Sequence, residues 1–249
     1  DYYRTHRRLY FLDMQFSEAV NNTGIVQQTR DMARVDSTQW PTSRIVNSAN
    51  NWLDKITGYA IGADRRFEWD DTNHTELPEG KRDLTVSVTD YSFLLDEQGN
   101  TILTLTGVDI LTGGYYEPLQ PVNRNDEDYD SSFGQVSGIP SQYDKIADNI
   151  IRLDAIPTAT VTNGLRFHFQ RTPSYFAATD TTKSPGVAPI LHRGFVIASA
   201  YDCALTLGLQ NIQALSIEMQ KEEQFMKEYF GNRGMDNEQK IRPANICFR

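Results

Sequence analysis

Residues 165–170, Leu165-Arg166-Phe167-His168-Phe169-Gln170, place Leu165, Phe167 and Phe169 on one side of an extended chain and Arg166, His168 and Gln170 on the other. A period of two is that of a β-strand with one buried face, so this stretch predicts a sheet that covers an apolar core on one side only. The same period recurs upstream. Leu84, Val86 and Val88 alternate with Thr85, Ser87 and Thr89, which predicts a second strand. Phe93 to Leu95 and Ile102 to Leu105 flank Asp96-Glu97-Gln98-Gly99-Asn100, where Gly and Asn supply the positive φ of a hairpin loop. Tyr115 to Leu119 and Ile150 to Leu153 add further strands. Many short strands separated by Gly, Pro and Asn turns predict an antiparallel β-sandwich or a barrel-like domain over 67–186.

On either side of this region the period becomes helical. Ile45, Ala49, Trp52, Leu53, Ile56 and Tyr59 recur at helical spacing after Pro41, a residue suited to a first turn, and Gly58 and Gly62 weaken the end of that helix. Downstream, Ile190, Gly194, Ile197, Ala198, Tyr201 and Leu205 form a stripe, yet Leu191, Phe195 and Val196 lie off it. A helix apolar nearly all round is covered on several sides of its own fold or by a neighbouring subunit. After Gly208 a second helix carries Ile212, Leu215, Met219, Met226, Tyr229 and Phe230, with Gly231 as its stop. The expected fold class is therefore α+β: a helical bundle of one N-terminal and two C-terminal helices, with the β domain inserted between them. The boundaries are 1–36, weakly helical or extended; 37–66, the first bundle helix; 67–186, the β domain; 187–231, the helix pair; and 232–249, an extended tail.

The chain has 249 residues, 33 acidic and 24 basic, for a formal net charge of −9. That balance excludes sequence-independent nucleic-acid binding, which needs a concentrated Lys/Arg surface; Arg7-Arg8 and Arg65-Arg66 are too short to form one. Two cysteines, Cys203 and Cys247, exclude a disulfide framework and any paired Cys-x-x-Cys zinc site. No apolar run approaches the roughly 20 residues of a membrane-spanning helix, so a soluble protein is expected.

The search for chemistry is negative throughout. His6, His74, His168 and His192 never pair at metal-ligand spacing. Asp126, Asp128 and Asp130 alternate as in a calcium loop, but the glycine falls at the ninth loop position instead of the sixth, so they predict a solvated acidic loop. Gly134-Gln135-Val136-Ser137-Gly138 has its serine one position too late for a nucleophile elbow. Gly80-Lys81-Arg82 lacks the other residues of a phosphate loop. Glu68, Asp70 and Asp71 are the carboxylates a glycoside hydrolase would use, and Cys203 is expected to be a buried apolar residue. Asn21-Asn22-Thr23 and Asn73-His74-Thr75 match the glycosylation acceptor pattern and are read as incidental. No catalytic residue, cofactor or metal is expected.

Several patterns taken in order resemble the head-to-tail adaptor (connector) proteins of tailed bacteriophages. They are the helix with Ile45, Asn47, Ala49, Asn50, Leu53 and Ile56; Phe67-Glu68-Trp69-Asp70-Asp71-Thr72-Asn73; Leu84 with Asp90-Tyr91; and Leu119-Gln120-Pro121-Val122. Then come Gly138-Ile139-Pro140 with Tyr143; Ile150-Ile151-Arg152-Leu153 with Ile156-Pro157; Thr172-Pro173-Ser174-Tyr175-Phe176; and the helix Pro189 to Leu207. The likeness covers residues 40 to 230. It implies a virion protein of the neck with no catalysis: a ring, usually a dodecamer, bound to the portal protein, with a downstream tail or neck protein beneath and genomic DNA passing through. In such a ring Leu191 and Phe195 are expected at the subunit interface. The tail is expected to dock on the portal through Ile241, Arg242, Pro243, Ile246, Phe248 and Arg249, since Ile246 and Phe248 share one face of an extended strand. The alternatives from other classes are a carbohydrate-binding β module, marked by aromatics exposed on one sheet face, and a glycoside hydrolase.

Overall fold

The computed structural model describes residues 14–63, 78–97, 99–123 and 132–231. It is a mixed α+β fold with four α-helices among the described residues and sheets of largely antiparallel strands, none closed into a barrel. In chain order the elements are α1 (Ile25–Ala33), α2 (Thr42–Ala63), β1 (Glu79–Leu84), β2 (Asp90–Ser92), β3 (Ile102–Thr112), β4 (Tyr115–Pro118) and β5 (Gln120–Val122). Then follow β6 (Val136–Ser137), β7 (Gln142–Ala147), β8 (Ile150–Leu153), β9 (Ala155–Ile156), β10 (Val161–Arg171), a 3-10 turn (Pro189–Leu191), α3 (His192–Leu207) and α4 (Ile212–Gly231).

Four-stranded sheets of order β1-β10-β3-β4 and β2-β8-β7-β5 stand beside a two-stranded β6-β9 sheet. Two pairings, β5 with β7 and β6 with β9, are parallel, which corrects the expectation of purely antiparallel strands. Leu165, Phe167 and Phe169 of β10 are buried as the alternation requires. They belong to one apolar cluster with Val108 and Ile110 of the first sheet and Tyr91, Tyr143, Ile151 and Leu153 of the second. Gly80 faces this cluster because a side chain there would collide with the Phe167 ring, 2.3 Å from an added Cβ.

The strand expected through Val88 ends instead at Leu84. Residues 85–89 turn, Ser87 takes φ +63°, and Val86 and Val88 are exposed. The turn is held by the Tyr91 hydroxyl, which accepts from the Thr85 N–H at 2.9 Å and donates to the Val88 carbonyl at 3.2 Å. The 96–100 hairpin forms as expected, with Gly99 at φ +86°, while Asn100 keeps negative φ.

The helical cluster is drawn from both ends of the described chain: Phe16 and the buried faces of α1 and α2 meet Phe176, Leu191 and the buried faces of α3 and α4. Gly58 and Gly62 do not shorten α2, which runs through both to Ala63. A short α1, which the sequence reads only as weakly helical, starts after Gly24 and ends at Arg34 in the left-handed region. α3 touches α1, α2 and α4, so this apolar helix is covered within one chain as far as Ala204. Gly194 lets α3 lie close against α2: an added Cβ would lie 2.6 Å from the Trp52 indole nitrogen.

Candidate functional site

The residues singled out in the sequence do not converge. Leu191 and Phe195, expected at a subunit interface, are 4% and 0% exposed in the single chain, and that assignment is corrected here. α1 and the segment around Phe16 cover them: Phe176 stacks on Phe16 with ring centroids at 4.8 Å and meets Phe195 edge-on at 6.1 Å. Ile241, Arg242, Pro243, Ile246, Phe248 and Arg249 lie outside the described residues, as do Glu68, Asp70, Asp71, Asp126, Asp128, Asp130, His6, His74 and Cys247. Ser137 is exposed on β6, not on a strand-to-helix elbow. Cys203 is fully buried, and burial pushes its thiol above the usual range. Among the described residues no group of three or more His, Cys, Asp or Glu side chains could hold a metal ion.

A polar ladder crosses the outer face of the β1-β10-β3-β4 sheet. Pairing sets Arg166 opposite Asp109 and His168 opposite both Gly107 and Glu79, so these side chains share the face opposite Phe167. Asp109 Oδ2 accepts from Arg166 Nε at 2.8 Å and Nη2 at 2.6 Å, and lies 3.1 Å from His168 Nε2. His168 Nδ1 lies 3.5 Å from Glu79 Oε1. The Arg166 guanidinium stacks over the Tyr116 ring at 4.5 Å, and its hydrogen bonds to Asp109 hold it above even its usual range. With both imidazole nitrogens facing carboxylates, His168 is set to tie three strands together rather than to activate a nucleophile. Sequence alternation found this outward face. The pairing that joins its members needed the register.

The connection between the two cores is the other concentration of polar contacts. Leaving β10, Arg171 pairs with Asp96 at 3.2 Å, the two side chains only 3% and 4% exposed. Asp96 also accepts from the Asn100 backbone N–H at 2.7 Å, so one carboxylate closes the hairpin and holds the strand exit. Next, Asn50 of α2 clamps Phe176 from both sides, accepting from its N–H at 2.9 Å and donating to its carbonyl at 3.0 Å. The Tyr175 hydroxyl donates to Asp54 at 2.6 Å; burial first, then this bond, pushes the phenol up to about 12. Behind them His192, 1% exposed, accepts from the Met14 N–H at 3.1 Å through Nδ1 and donates to the Val187 carbonyl at 2.9 Å through Nε2. These contacts lock a backbone; none presents a reactive group to solvent.

Exposed aliphatic side chains gather at several places, among them Leu94, Leu95 and Leu103 of the 96–100 hairpin, which are 61%, 50% and 46% exposed. Val86, Val88, Val136 and Ile139 are 45%, 37%, 58% and 69% exposed, and the segments carrying them are bonded to the same run of chain. Ser87 N–H donates to the Pro157 carbonyl, Val136 pairs with Ala155, and Gly138 N–H donates to the Ile156 carbonyl. Leu205, Leu207 and Ile217 are 57%, 42% and 55% exposed where α3 turns into α4. Contact surfaces, then, are what this chain offers most plainly. No family model matches the chain, and no curated protein matches it.

Proposed function

We propose that this chain is a head-to-tail adaptor of a tailed bacteriophage, a non-catalytic ring subunit bound between the portal and the tail. The observation that supports this most directly is the order of the two cores. Helices before and after the β region share one apolar cluster, while the β region between them has its own, an order that suits a mounting body with an inserted contact domain. In this reading α1 to α4 form a bundle, and the paired four-stranded sheets form an inserted β-sandwich. The bundle is the mounting body and the sandwich a contact surface. Ionic contacts tie elements of the chain to one another, as expected of a part whose work is to hold neighbours in place.

Charge supports the same reading. A net −9 on each subunit, repeated around a ring, lines a conduit that repels the phosphate backbone, so DNA passes without adhering. The tail 232–249 remains the proposed portal anchor, with Ile241, Arg242, Pro243, Ile246, Phe248 and Arg249 as its contacts and a downstream neck or tail protein on the opposite side. The test is assembly. The full chain is mixed with portal rings from the genome that encodes it, and the complex is weighed by native mass spectrometry and imaged by electron microscopy. A discrete ring stacked on the portal supports the reading, and a chain that stays monomeric and unbound overturns it. A second arm removes residues 236–249: a folded domain that has lost portal attachment is the expected result.

A further inference from the structure

We infer that residues 15–33, the strap before α1 together with α1 itself, form a displaceable cover that opens from α3 as one body while α2, α3 and α4 stay packed. Opening bares Phe176, on which Phe16 stacks, and Phe195 behind it. The closed cover keeps that apolar face from water, and the open one presents it.

Hydrogen bonding separates this body from its seat. Within it the ties are dense. The Ile25 and Val26 N–H groups donate back to the Gln15 and Phe16 carbonyls, both at 3.0 Å. Gln27 bridges helix and strap, donating from Nε2 to Ser17 Oγ at 3.0 Å and accepting from the Glu18 N–H at 3.1 Å. The Glu18 carboxylate accepts from the N–H groups of Val20, Asn21 and Thr23 and from the Thr23 hydroxyl, which closes the loop between strap and helix. Outward ties are sparser. Among the described residues, the body reaches the far side of the core through the Phe16 N–H to the Lys183 carbonyl at 2.7 Å, the Ser17 N–H to the Thr181 carbonyl at 3.0 Å, and the Met32 carbonyl, which accepts from Asn211 Nδ2 at 3.3 Å. Arg30 bonds to the Trp40 carbonyl and the Thr42 hydroxyl, which follow next along the chain past the hinge at 34–36.

The seat also fits poorly. Six buried side-chain atoms among the described residues have no hydrogen-bond partner, and four of them are Thr29 Oγ1, Trp40 Nε1, Ser199 Oγ and Asn211 Oδ1. Thr29 is on α1, Ser199 is on the helix α1 packs against, and Trp40 and Asn211 are bonded to α1 through Arg30 and Met32. A buried polar atom without a partner weakens the closed form against an open one in which water reaches it. The apolar grip is uneven as well: the inner stripe carries Ile25 and Val26 in the first turn of α1, but Thr29 and Ala33 after it. α2, α3 and α4 each touch the other two, so a three-helix core persists without α1. A segment bonded well within itself and sparsely to its surroundings opens as a cooperative unit below global unfolding.

Native-state hydrogen exchange on the full chain tests this. The amides of Phe16, Ile25, Val26 and the rest of α1 are expected to exchange through one shared opening, roughly tenfold or more as populated as the opening of α2 to α4, and with a much shallower dependence on low guanidinium concentration because less surface is exposed. Two truncations separate the levels. Met226→Ala, at a position 1% exposed on α4, removes a contact that the open form keeps, so it is expected to speed exchange in α2 to α4 by roughly tenfold or more and leave the residue 16–33 amides unchanged. Ile25→Ala removes a contact that opening breaks, and is expected to speed the 16–33 amides by roughly tenfold or more. Thr29→Val, which deletes one partnerless hydroxyl, is expected to slow them by about threefold or more. Strap and α1 amides that share the rates and denaturant slope of α3 overturn the proposal, as does a Met226→Ala variant that speeds both sets equally. A Thr29→Val variant that opens as readily as wild type overturns it too. Should Met226→Ala fail to fold, the wild-type denaturant slopes decide between one opening and two.

Discussion

The β region and the helical region bury their cores in opposite ways. The β cluster is drawn from Leu84 through Phe169, one continuous stretch, although its largest pairings, β1 with β10, β10 with β3 and β2 with β8, join strands far apart within that stretch. The helical cluster joins Phe16 through Ala60 to Phe176 through Phe230, so it closes only after the whole β region has been spanned. A core made from one segment stands without the other, whereas a core made from two depends on the connection that brings them together.

The sharpest way to break this comparison is Phe195→Ala. Its ring is fully buried among α1, α2 and Phe176, and truncation costs about 3–5 kcal/mol. Limited proteolysis is expected to digest both helical segments and leave a protected fragment spanning about 78–171; concerted loss of that fragment would show that the cores do not separate. Asp96→Ala acts on the connection from the β side. It leaves Arg171 buried beside a missing partner, at a cost of about 3 kcal/mol, and denaturant unfolding is expected to show the β region losing stability first. Asn50→Ala acts from the helical side, removing two hydrogen bonds to Phe176 and costing about 1–2 kcal/mol. Faster hydrogen exchange at the Phe176 amide, with the β-strand amides unchanged, is the expected sign.

The smallest effect is a dependence on pH. Hydrogen bonds from Arg152 hold Asp90 below its ordinary value. A carboxylate lowered on folding contributes stability above its ordinary pKa and loses it as pH falls through the lowered one, so this pair weakens only in acid. The pair is half-exposed and its share is small. Comparing acid unfolding of wild type and Arg152→Ala isolates it: the two curves should converge at the acid end and separate toward neutrality.

What could be read from the sequence follows the same division. Strands β3, β4, β8 and β10 and helices α2 to α4 were legible because their periods are local. The turn at 85–89 was not, because Leu84, Val86 and Val88 alternate as a strand does while the Tyr91 hydroxyl, bonded to Thr85 and Val88, decides the backbone. Leu191 and Phe195 were read correctly as needing cover and wrongly as needing a neighbour. The missing signal was α1, whose Ile25, Val26, Thr29 and Ala33 stripe supplies part of that cover from far away in the chain. The polar ladder was half legible: Arg166 and His168 point outward by alternation, but Asp109 and Glu79 join them only through pairing across strands.

The two-part construction of the helical core also fixes an order of events during synthesis. α1 and α2 are translated more than a hundred codons ahead of α3, which they must cover, a wait of roughly ten seconds at about 5–20 residues per second. Throughout that interval the buried faces of Ile25, Ile45, Trp52 and Ile56 have no native partner, while the β region can already collapse behind them. The nascent chain therefore presents an unpaired pair of amphipathic helices, the kind of surface that holding chaperones bind, and it reaches its final form only once α3 and α4 have been made.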